Sequence, residues 1–587
     1  MDDLRAGRGE PWDHDPGPPR NRSWARLFAE TPDYRALGLA AAGSEQFRWQ
    51  FGPVYYRGRL GDHQVKVLVV GQDAGSDEVL AHRSFVGESG TRVQHLLAHL
   101  GITRSYLCLN TFVYSIVDQY DGPVRDLAQD PDSPIARHRN RLLDYAAARN
   151  DLRLIVAVGR AARESILSWN RHRGGSGTAG GGQLHTLDAA AIGPHVKLVD
   201  VVDPGAAGSG GRADVQASFA AAADRVLGWA ADQPAWLPPD ADGQRAAAGT
   251  FVFDAHPVPL RDLPFGAPWR LGAGGTATKR SAAGRSLELG PVVRPPEAPH
   301  YPNEPSAPGD PDPAFVADEG DLPWEPPRSV LEFDRGPTPA IARLLTGGAT
   351  GLAGPDFAAL GVVGAGAYGG GPRYRGRFAG VRMLVLADQH GQDDLLWGRA
   401  FCGDAGQRFQ GLMAALGLTR SYLILRTLPV DTADDTVGKV WALSDRPDVV
   451  AGHRAVTGRV LDDNPVAVVV AIGPHAERIA GLLDLDGQPV VALPPWGTPG
   501  AEDAWAEGHA RLRSLGIPLD QPPTAAAWAG ERAQIPRADL PFGAPRWQGT
   551  TGDRAVRSTA PADDVFYRVW MPGWVADVDV PPAGGGG

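Results

Sequence analysis

The chain has few of the residues that many metal sites and secreted folds require. Only two cysteines occur in 587 residues, which excludes a four-thiolate zinc or iron–sulfur site within one chain and a disulfide framework. The longest apolar runs reach only about half the length that crosses a bilayer. The first residues also lack the apolar stretch of a signal peptide. We therefore expect a soluble cytoplasmic protein with no membrane partner.

Positive charge is also scarce. Lysine and arginine together number 57 against 68 aspartates and glutamates, which gives a formal net charge of −11 at pH 7. This balance argues against a protein that coats nucleic acid through bulk positive potential, although it leaves room for a locally basic groove.

Glycine and proline are abundant instead, with 75 and 52 residues. Prolines are concentrated in residues 290–328, where apolar periodicity is almost absent. Such a segment cannot bury a core and is predicted to form an extended linker.

The linker separates two related halves. Residues 68–107 align with 384–423 without a gap, and 20 of the 40 positions are identical. The motif DLPFGAP occurs at 262–268 and again at 539–545. We interpret the halves as tandem copies of one domain that pair within the chain. The predicted segments are a disordered N-terminus (1–25), a first domain with a basic C-terminal extension (26–289), the linker (290–328), a second domain (329–565) and a tail (566–587).

Each copy alternates short apolar strands with helical patterns. This alternation predicts an α/β fold with a central parallel sheet flanked by helices in three layers. Ligand sites in such sheets lie beyond the carboxyl ends of the strands. The informative residues are therefore expected at 71–74, at Asn110 and at 203–205.

Three motifs fall at these strand ends: GQDAG at 71–75, RSFVGESG at 83–90 and LCLN at 107–110. Together they resemble motifs of the uracil-DNA glycosylase superfamily. The resemblance covers most of residues 50–230 and, in degraded form, 370–515. It implies a DNA substrate whose target nucleotide is flipped out of the duplex into a pocket.

The resemblance also implies roles for individual residues. Phe85 would stack on the flipped base, and Asn110 would bond its Watson–Crick edge through the amide donor and acceptor. Asp73 would orient or deprotonate the attacking water and stabilise the cationic sugar. Backbone N–H groups of 71–75 would hold a base oxygen or the adjacent phosphate. The predicted base-binding residues are Gly71, Gln72, Ala74, Phe85 and Asn110.

One position departs from the family pattern. The second motif of the superfamily usually begins with histidine, whereas Asp203 occupies the matching place here. An ionised carboxylate would repel a departing uracil anion. Three explanations stay open: another target base such as a cytosine derivative, a protonated Asp203, or a histidine supplied by His185 or His195.

Further residues are predicted to contact DNA or to have lost function. A glycine-rich loop and a basic segment supply the predicted DNA-binding residues, which are Gly205, Ser209, Arg212, Arg270, Lys279 and Arg280. The second copy carries Asp388, Gln389 and Arg426 where the first has Gln72, Asp73 and Asn110. We therefore interpret it as catalytically silent.

The predicted activity is hydrolysis of the N-glycosidic bond of a flipped-out uracil or modified pyrimidine in DNA, leaving an abasic site. Asp73 and Asp203 are the predicted catalytic residues, and no metal or other cofactor is expected. The sequence points to no protein partner. The alternatives are a glycosylase that removes a modified base from phage DNA in defence, and a non-catalytic scaffold that binds DNA or nucleotides.

Overall fold

Short apolar runs form the strands of two separate five-stranded sheets. The structure is a computed structural model, in which contacts divide the chain into an N-terminal unit built on residues 17–263 and a C-terminal unit built mainly on 332–579. The described residues are 15, 17–18, 23–49, 52–175, 184–205, 211–264, 286–292, 333–346, 357, 359–362, 374–388, 394, 398–402, 404–428, 436–543, 555–557 and 565–571.

The sheet of the N-terminal unit has the strand order β1-β3-β2-β4-β5. Its strands are β1 (Arg57–Gly58), β2 (Val67–Gly71), β3 (Tyr106–Asn110), β4 (Leu154–Val158) and β5 (Lys197–Val201). The predicted parallel arrangement is confirmed for β2 to β5. The edge strand β1, which the sequence did not predict, runs antiparallel to β3. A strand of two residues is too short to carry a readable pattern.

Helices flank this sheet. They are α1 (Ser23–Ala29), α2 (Tyr34–Ala42), α3 (Ser76–Ala81), α4 (Glu88–His99), α5 (Gly122–Gln129), α6 (Pro134–Arg149), α7 (Gly159–His172) and α8 (Arg212–Asp232). Val93 of α4 and Phe219 of α8 pack with Val69 of β2 in one buried cluster. Leu68 and Val70 alternate to the opposite face of β2 and are also fully buried. The helix–sheet–helix layers predicted from the sequence are therefore present.

A buried ion pair ties β1 to the chain that follows α8. Asp262 ends a short 3-10 turn (Leu260–Asp262), and its carboxylate lies 2.9 Å from the Arg57 guanidinium. Both side chains are fully buried. Arg57 also donates to the Ser84 carbonyl at 3.0 Å and to the Gln94 side chain at 2.8 Å. The Asp262 end of the DLPFGAP motif thus packs onto its own unit.

The C-terminal unit contains a second sheet with the order β11-β10-β8-β9-β7. Its strands are β7 (Tyr374–Gly376), β8 (Met383–Ala387), β9 (Tyr422–Arg426), β10 (Val468–Ile472) and β11 (Val490–Leu493). Its helices are α9 (Pro339–Thr346), α10 (Asp404–Leu416), α11 (Val437–Ser444), α12 (Pro447–Asp463), α13 (Pro474–Leu482) and α14 (Ala501–Ser514).

The two sheets share their topology. In each, the antiparallel edge strand pairs with the second parallel strand of its unit, and the register agrees: Arg57 faces Cys108 and Arg375 faces Ile424. This agreement is what a duplication predicts, and the duplication itself stays an interpretation of the sequence.

A third, three-stranded sheet consists of β6 (Ser286–Val292), β12 (Ala555–Arg557) and β13 (Val565–Met571). The sequence-predicted boundaries at 290 and 566 fall within β6 and β13. Among the helices of the described residues, none combines the length and the hydropathy needed to cross a bilayer.

Candidate active site

A pocket of about 250 Å³ opens at the carboxyl ends of the parallel strands of the N-terminal unit. It is lined by Gly71, Gln72, Asp73, Ala74, Gly75, Glu78, Phe85, Ser89, Asn110, Val158 and Asp203. Every base-binding and catalytic residue predicted from the sequence is in this set. The location is the one expected for a parallel sheet, because polar residues that follow neighbouring strands meet at one edge.

Gly71 ends β2 and leaves the space in which the pocket forms. A β-carbon built on Gly71 would lie 2.5 Å from Cζ of Phe85 and 2.7 Å from Oδ1 of Asn110. Carbon and oxygen atoms do not approach so closely without displacement, so any larger residue here would push the ring or the amide away. Gly71 therefore sets the spacing of the other two side chains.

Phe85 has an unusual backbone conformation, with φ of +56°. This region is costly for a bulky residue, so the surrounding structure must hold it in place. The carbonyl of the preceding Ser84 is bonded by Arg57, and the N–H of the following Val86 donates to Glu78 at 2.9 Å. A β-carbon on Gly90 would overlap the Phe85 carbonyl. These contacts fix the ring at the pocket wall.

Asp73 is partly buried and has defined hydrogen-bond partners. Its Oδ2 accepts from the Ile116 backbone N–H at 2.9 Å, and its Oδ1 accepts from the Gln72 side chain at 3.1 Å. Burial, with smaller contributions from the carboxylates of Asp203 and Glu78, raises the pKa of Asp73 to about 6 against the opposing effect of those hydrogen bonds. A carboxyl group with this pKa can accept a proton near neutral pH.

Asn110, the last residue of β3, leaves most of its amide unused. The side chain is 5% exposed. Among the described residues its one hydrogen bond is from Nδ2 to the Ser84 hydroxyl, at 3.5 Å. A bond of this length is weak, so the amide retains donor and acceptor capacity for a ligand in the pocket.

Asp203 follows β5 and lines the same pocket as Asp73. Its Oδ1 accepts from the backbone N–H of Gly205 at 2.8 Å. Its side chain lies against Gly159, where a β-carbon would be 3.3 Å from Cβ of Asp203. Neither His185 nor His195, the two histidines that the sequence offered as alternatives, is among the described residues that line the pocket. His185 lies in a separate 3-10 turn.

The sequence did not predict a role for Glu78, Ser89 or Val158. Glu78 organises the loop around the pocket, since its carboxylate accepts from the backbone N–H groups of Gly75, Val86 and Gly87 at 2.8–3.0 Å. The Gly75 N–H is thereby occupied, so it is not available to a base oxygen as the sequence suggested. The one signal for Glu78 was that the aligned residue, Asp394, is also acidic.

The predicted DNA-binding residues are only partly described. The N–H of Gly205 is bonded to Asp203, which places this residue beside the pocket. Arg212 begins α8 and is exposed. Four further residues lie outside the described part of the chain, and these are Ser209, Arg270, Lys279 and Arg280.

Residues 59–202, which contain most of this pocket, match the family model described as the Uracil DNA glycosylase superfamily. The chain carries a domain of that superfamily. The match supports a DNA glycosylase-like hydrolase that acts on DNA, in general terms. No curated protein was found that matches the chain.

In the C-terminal unit, the position that aligns with Asn110 of the N-terminal unit is occupied by Arg426. Its Nη2 lies 2.6 Å from the Asp394 carboxylate, and its guanidinium carbon is 5.1 Å from the centre of the Phe401 ring. Both charged side chains are buried. An arginine therefore covers the aromatic face that corresponds to Phe85.

Asp388 also has a structural partner in this unit. Its carboxylate accepts from the backbone N–H of His475 at 3.1 Å and from that of Ala476, at the start of α13. The Asp388 carboxylate therefore caps this helix. Nowhere in the described parts of either unit do three or more His, Cys, Asp or Glu residues form a group that could hold a metal ion.

Proposed function

We propose that the N-terminal unit hydrolyses the N-glycosidic bond of a flipped-out uracil or modified pyrimidine in DNA and leaves an abasic site. The observation that carries this proposal is the meeting of a carboxylate, an amide and an aromatic ring in one pocket. These are Asp73, Asn110 and Phe85. A pocket that only bound a base would have no need for a carboxylate whose pKa is raised to about 6.

Base recognition is assigned to Phe85 and Asn110. The Phe85 ring supplies a face on which a planar base stacks, a contact that every nucleobase can make. The Asn110 amide supplies one donor and one acceptor for the edge of the base. Gly71 lets both side chains lie close to the end of β2, because a larger residue here would displace them.

Bond cleavage is assigned to Asp73. The C1′–N1 bond breaks and its electron pair goes to the base, while a water oxygen bonds to C1′. Asp73 accepts a proton from that water and then releases it to solvent, while the base takes up one proton from solvent, so the reaction is a net hydrolysis. The ionised carboxylate also stabilises the positive charge that develops on the sugar.

The direct test is abasic-site formation by the full chain on single- and double-stranded oligonucleotides. The target bases would include uracil, hypoxanthine, 5-hydroxymethyluracil and 5-hydroxymethylcytosine. Asp73→Asn is expected to lower the rate by about 10²–10⁴-fold, since a positioned proton acceptor contributes this much. Asp132→Asn, which changes an exposed carboxylate outside the pocket, is the matched control and is expected to keep the full rate.

The same experiment separates DNA binding from catalysis. If Asp73→Asn binds DNA as the unchanged protein does but forms no abasic sites, the carboxylate acts in the chemistry. If no base is released by the unchanged protein while DNA is still bound, the proposal fails and a non-catalytic scaffold takes its place.

We also propose that the C-terminal unit is a degenerate copy without chemistry of its own. The support is its matching strand order and register, together with the buried Arg426–Asp394 pair over Phe401. A flipped base would have to displace that ion pair, which is costly for buried charges.

A further inference from the structure

The pocket of the N-terminal unit combines three carboxylates with a lack of positive side chains. The acidic residues are Asp73, Glu78 and Asp203. Among the described lining residues there is no lysine, arginine or histidine. A base that leaves with negative charge would therefore meet like charge and no cation, which disfavours departure of an anion.

Two of the three carboxylates already have several partners. Glu78 accepts from three backbone N–H groups of the surrounding loop. Both oxygens of Asp73 accept hydrogen bonds, one from a backbone N–H and one from a side-chain amide. These two groups are held by the protein in the absence of any ligand.

Asp203 differs from them. Among the described residues, its one hydrogen-bond partner is the N–H of Gly205, which donates to Oδ1. Its Oδ2 accepts no hydrogen bond from the described residues, and it lies near Gly159, 3.6 Å from the position that a β-carbon would take there. Gly159 has a φ of +81°, so a side chain at this position is disfavoured twice, by backbone conformation and by Asp203. Asp203 thus contributes an unused acceptor to the pocket lining.

We propose that Asp203 selects a base that carries an exocyclic amine, that is, a cytosine-type pyrimidine rather than a uracil-type one. This inference rests on the proposed glycosylase function. A carboxylate oxygen accepts from the N4 amine of cytosine, whereas the carbonyl oxygen at the same place in uracil would face it as a second acceptor. Asn110 recognises either type, because rotation of its amide exchanges the donor and the acceptor.

The proposal also fits the departure of the base. The C1′–N1 electron pair moves to the base, which takes one proton from solvent and is released neutral. Before the base takes up this proton, the hydrogen atoms of its N4 amine lie between the base and the Asp203 carboxylate. A uracil-type base has no such hydrogen at that position, so its developing negative charge meets the carboxylate directly.

The test compares pairs of bases that differ only by an amine or a carbonyl at position 4. The pairs are cytosine with uracil, 5-methylcytosine with thymine, and 5-hydroxymethylcytosine with 5-hydroxymethyluracil, each placed in the same oligonucleotide. We expect the full chain to release the amino member of at least one pair about 100-fold faster or more, as sites built around a hydrogen bond discriminate strongly. Asp203→Asn is expected to reduce that preference to less than about tenfold, because the amide also donates to a carbonyl.

Three results overturn the inference, and two of them leave the proposed function intact. Faster release of the carbonyl member, or a preference that survives Asp203→Asn, shows that Asp203 does not select the base, although base release itself stands. Release of no base by the unchanged chain overturns both. Asp132→Asn is again the control and is expected to leave the preference unchanged.

A second measurement needs no variant. Free cytosine is expected to inhibit base release by the unchanged protein at concentrations at least about tenfold lower than free uracil, since the pocket binds the product through the same hydrogen bond. Equal inhibition by the two bases would contradict the inference even if Asp203→Asn failed to fold.

Discussion

At the scale of single residues, the pocket depends on the absence of a side chain at Gly71. The Phe85 ring and the Asn110 amide both lie where a β-carbon would be. In the C-terminal unit the aligned position is Ala387, which is fully buried in an ordinary strand. A strand of this fold therefore accepts alanine, and the requirement for glycine comes from the pocket.

Gly71→Ala is accordingly predicted to keep the fold and lose base release. We expect kcat/KM to fall about 100-fold or more, because displacing Phe85 or Asn110 by about 1 Å disrupts the positioned site. The measurement is base release together with a thermal unfolding curve. Gly228→Ala is the control: it lies within α8, its β-carbon would meet nothing within 4 Å, and alanine favours helix. Full activity in Gly71→Ala would contradict this account of the pocket.

The pKa of Asp73 predicts the pH dependence of the reaction. Burial raises this pKa to about 6, with further contributions from Asp203 and Glu78. Only the ionised form accepts a proton, so the rate should rise about tenfold per pH unit below about pH 6 and become level above it.

The check is a profile of kcat/KM against pH for the unchanged chain and for Asp203→Asn. The second profile is expected to turn at a lower pH, because removal of the Asp203 charge removes one of the causes of the raised pKa. A rate that falls as pH rises through 6 would show that Asp73 acts in its protonated form.

The sequence predicted where the pocket residues would meet, but it did not predict their backbone conformation. Gly71, Asp73 and Asn110 follow strands, and strand ends of a parallel sheet converge, so their order along the chain was sufficient. The positive φ of Phe85 was not predictable, since phenylalanine rarely adopts it. It depends on Arg57, which is distant in sequence, and on Glu78, for which the sequence predicted no role.

At the scale of elements, each unit is closed by a short segment that carries a buried aspartate. Asp262 lies 2.9 Å from Arg57, and Asp539 lies 3.1 Å from Arg375, in both cases with a tyrosine hydroxyl bonded to the same carboxylate. This ion pair is also present in the C-terminal unit, where Arg426 covers the ring of Phe401. We therefore assign the pair to stability of the fold.

Asp262→Ala is predicted to lower the free energy of unfolding by about 3 kcal/mol or more, because it leaves a buried guanidinium without its partner. Asp539→Ala should have a similar effect. Urea unfolding of the full chain measures both. Asp242→Ala is the matched control, since its ion pair with Arg104 is exposed and such pairs contribute less than about 1 kcal/mol. A loss at Asp262 no larger than the loss at Asp242 would contradict this assignment.

The elements themselves were largely readable from the sequence, for a physical reason. Buried parallel strands are continuous β-branched runs, and α4, α6 and α7 follow apolar spacing with glycine or proline at their ends. The edge strand β1 and the strands β6 and β13 were missed. A two-residue strand has no pattern, and the other two lie in segments rich in proline and glycine.

At the scale of the whole molecule, the two sheets have the same topology but differ at the carboxyl ends of their parallel strands. In the N-terminal unit the edge opens into a pocket around Asn110. In the C-terminal unit Arg426 and Asp394 form a buried ion pair at the aligned positions. One unit is therefore suited to take up a base, and the other is not.

Substitution of these aligned residues is predicted to have opposite effects. Asn110→Ala should abolish base release and cost less than about 1 kcal/mol of stability, since it removes one weak hydrogen bond. Arg426→Ala should leave base release within about twofold and cost about 3 kcal/mol, since it breaks a buried ion pair. Base release and urea unfolding of the full chain test both. Loss of base release in a folded Arg426→Ala protein would show that the C-terminal unit takes part in catalysis.

The central claim is that this pocket releases a base through Asp73. It is tested most directly by counting free base and abasic sites from one modified oligonucleotide, for the unchanged chain and for Asp73→Asn. The account predicts equal amounts of the two products from the unchanged chain and at least about 100-fold less of both from the variant. The contradicting result is free base and abasic sites formed at the same rate by both proteins, or formed by neither while DNA remains bound.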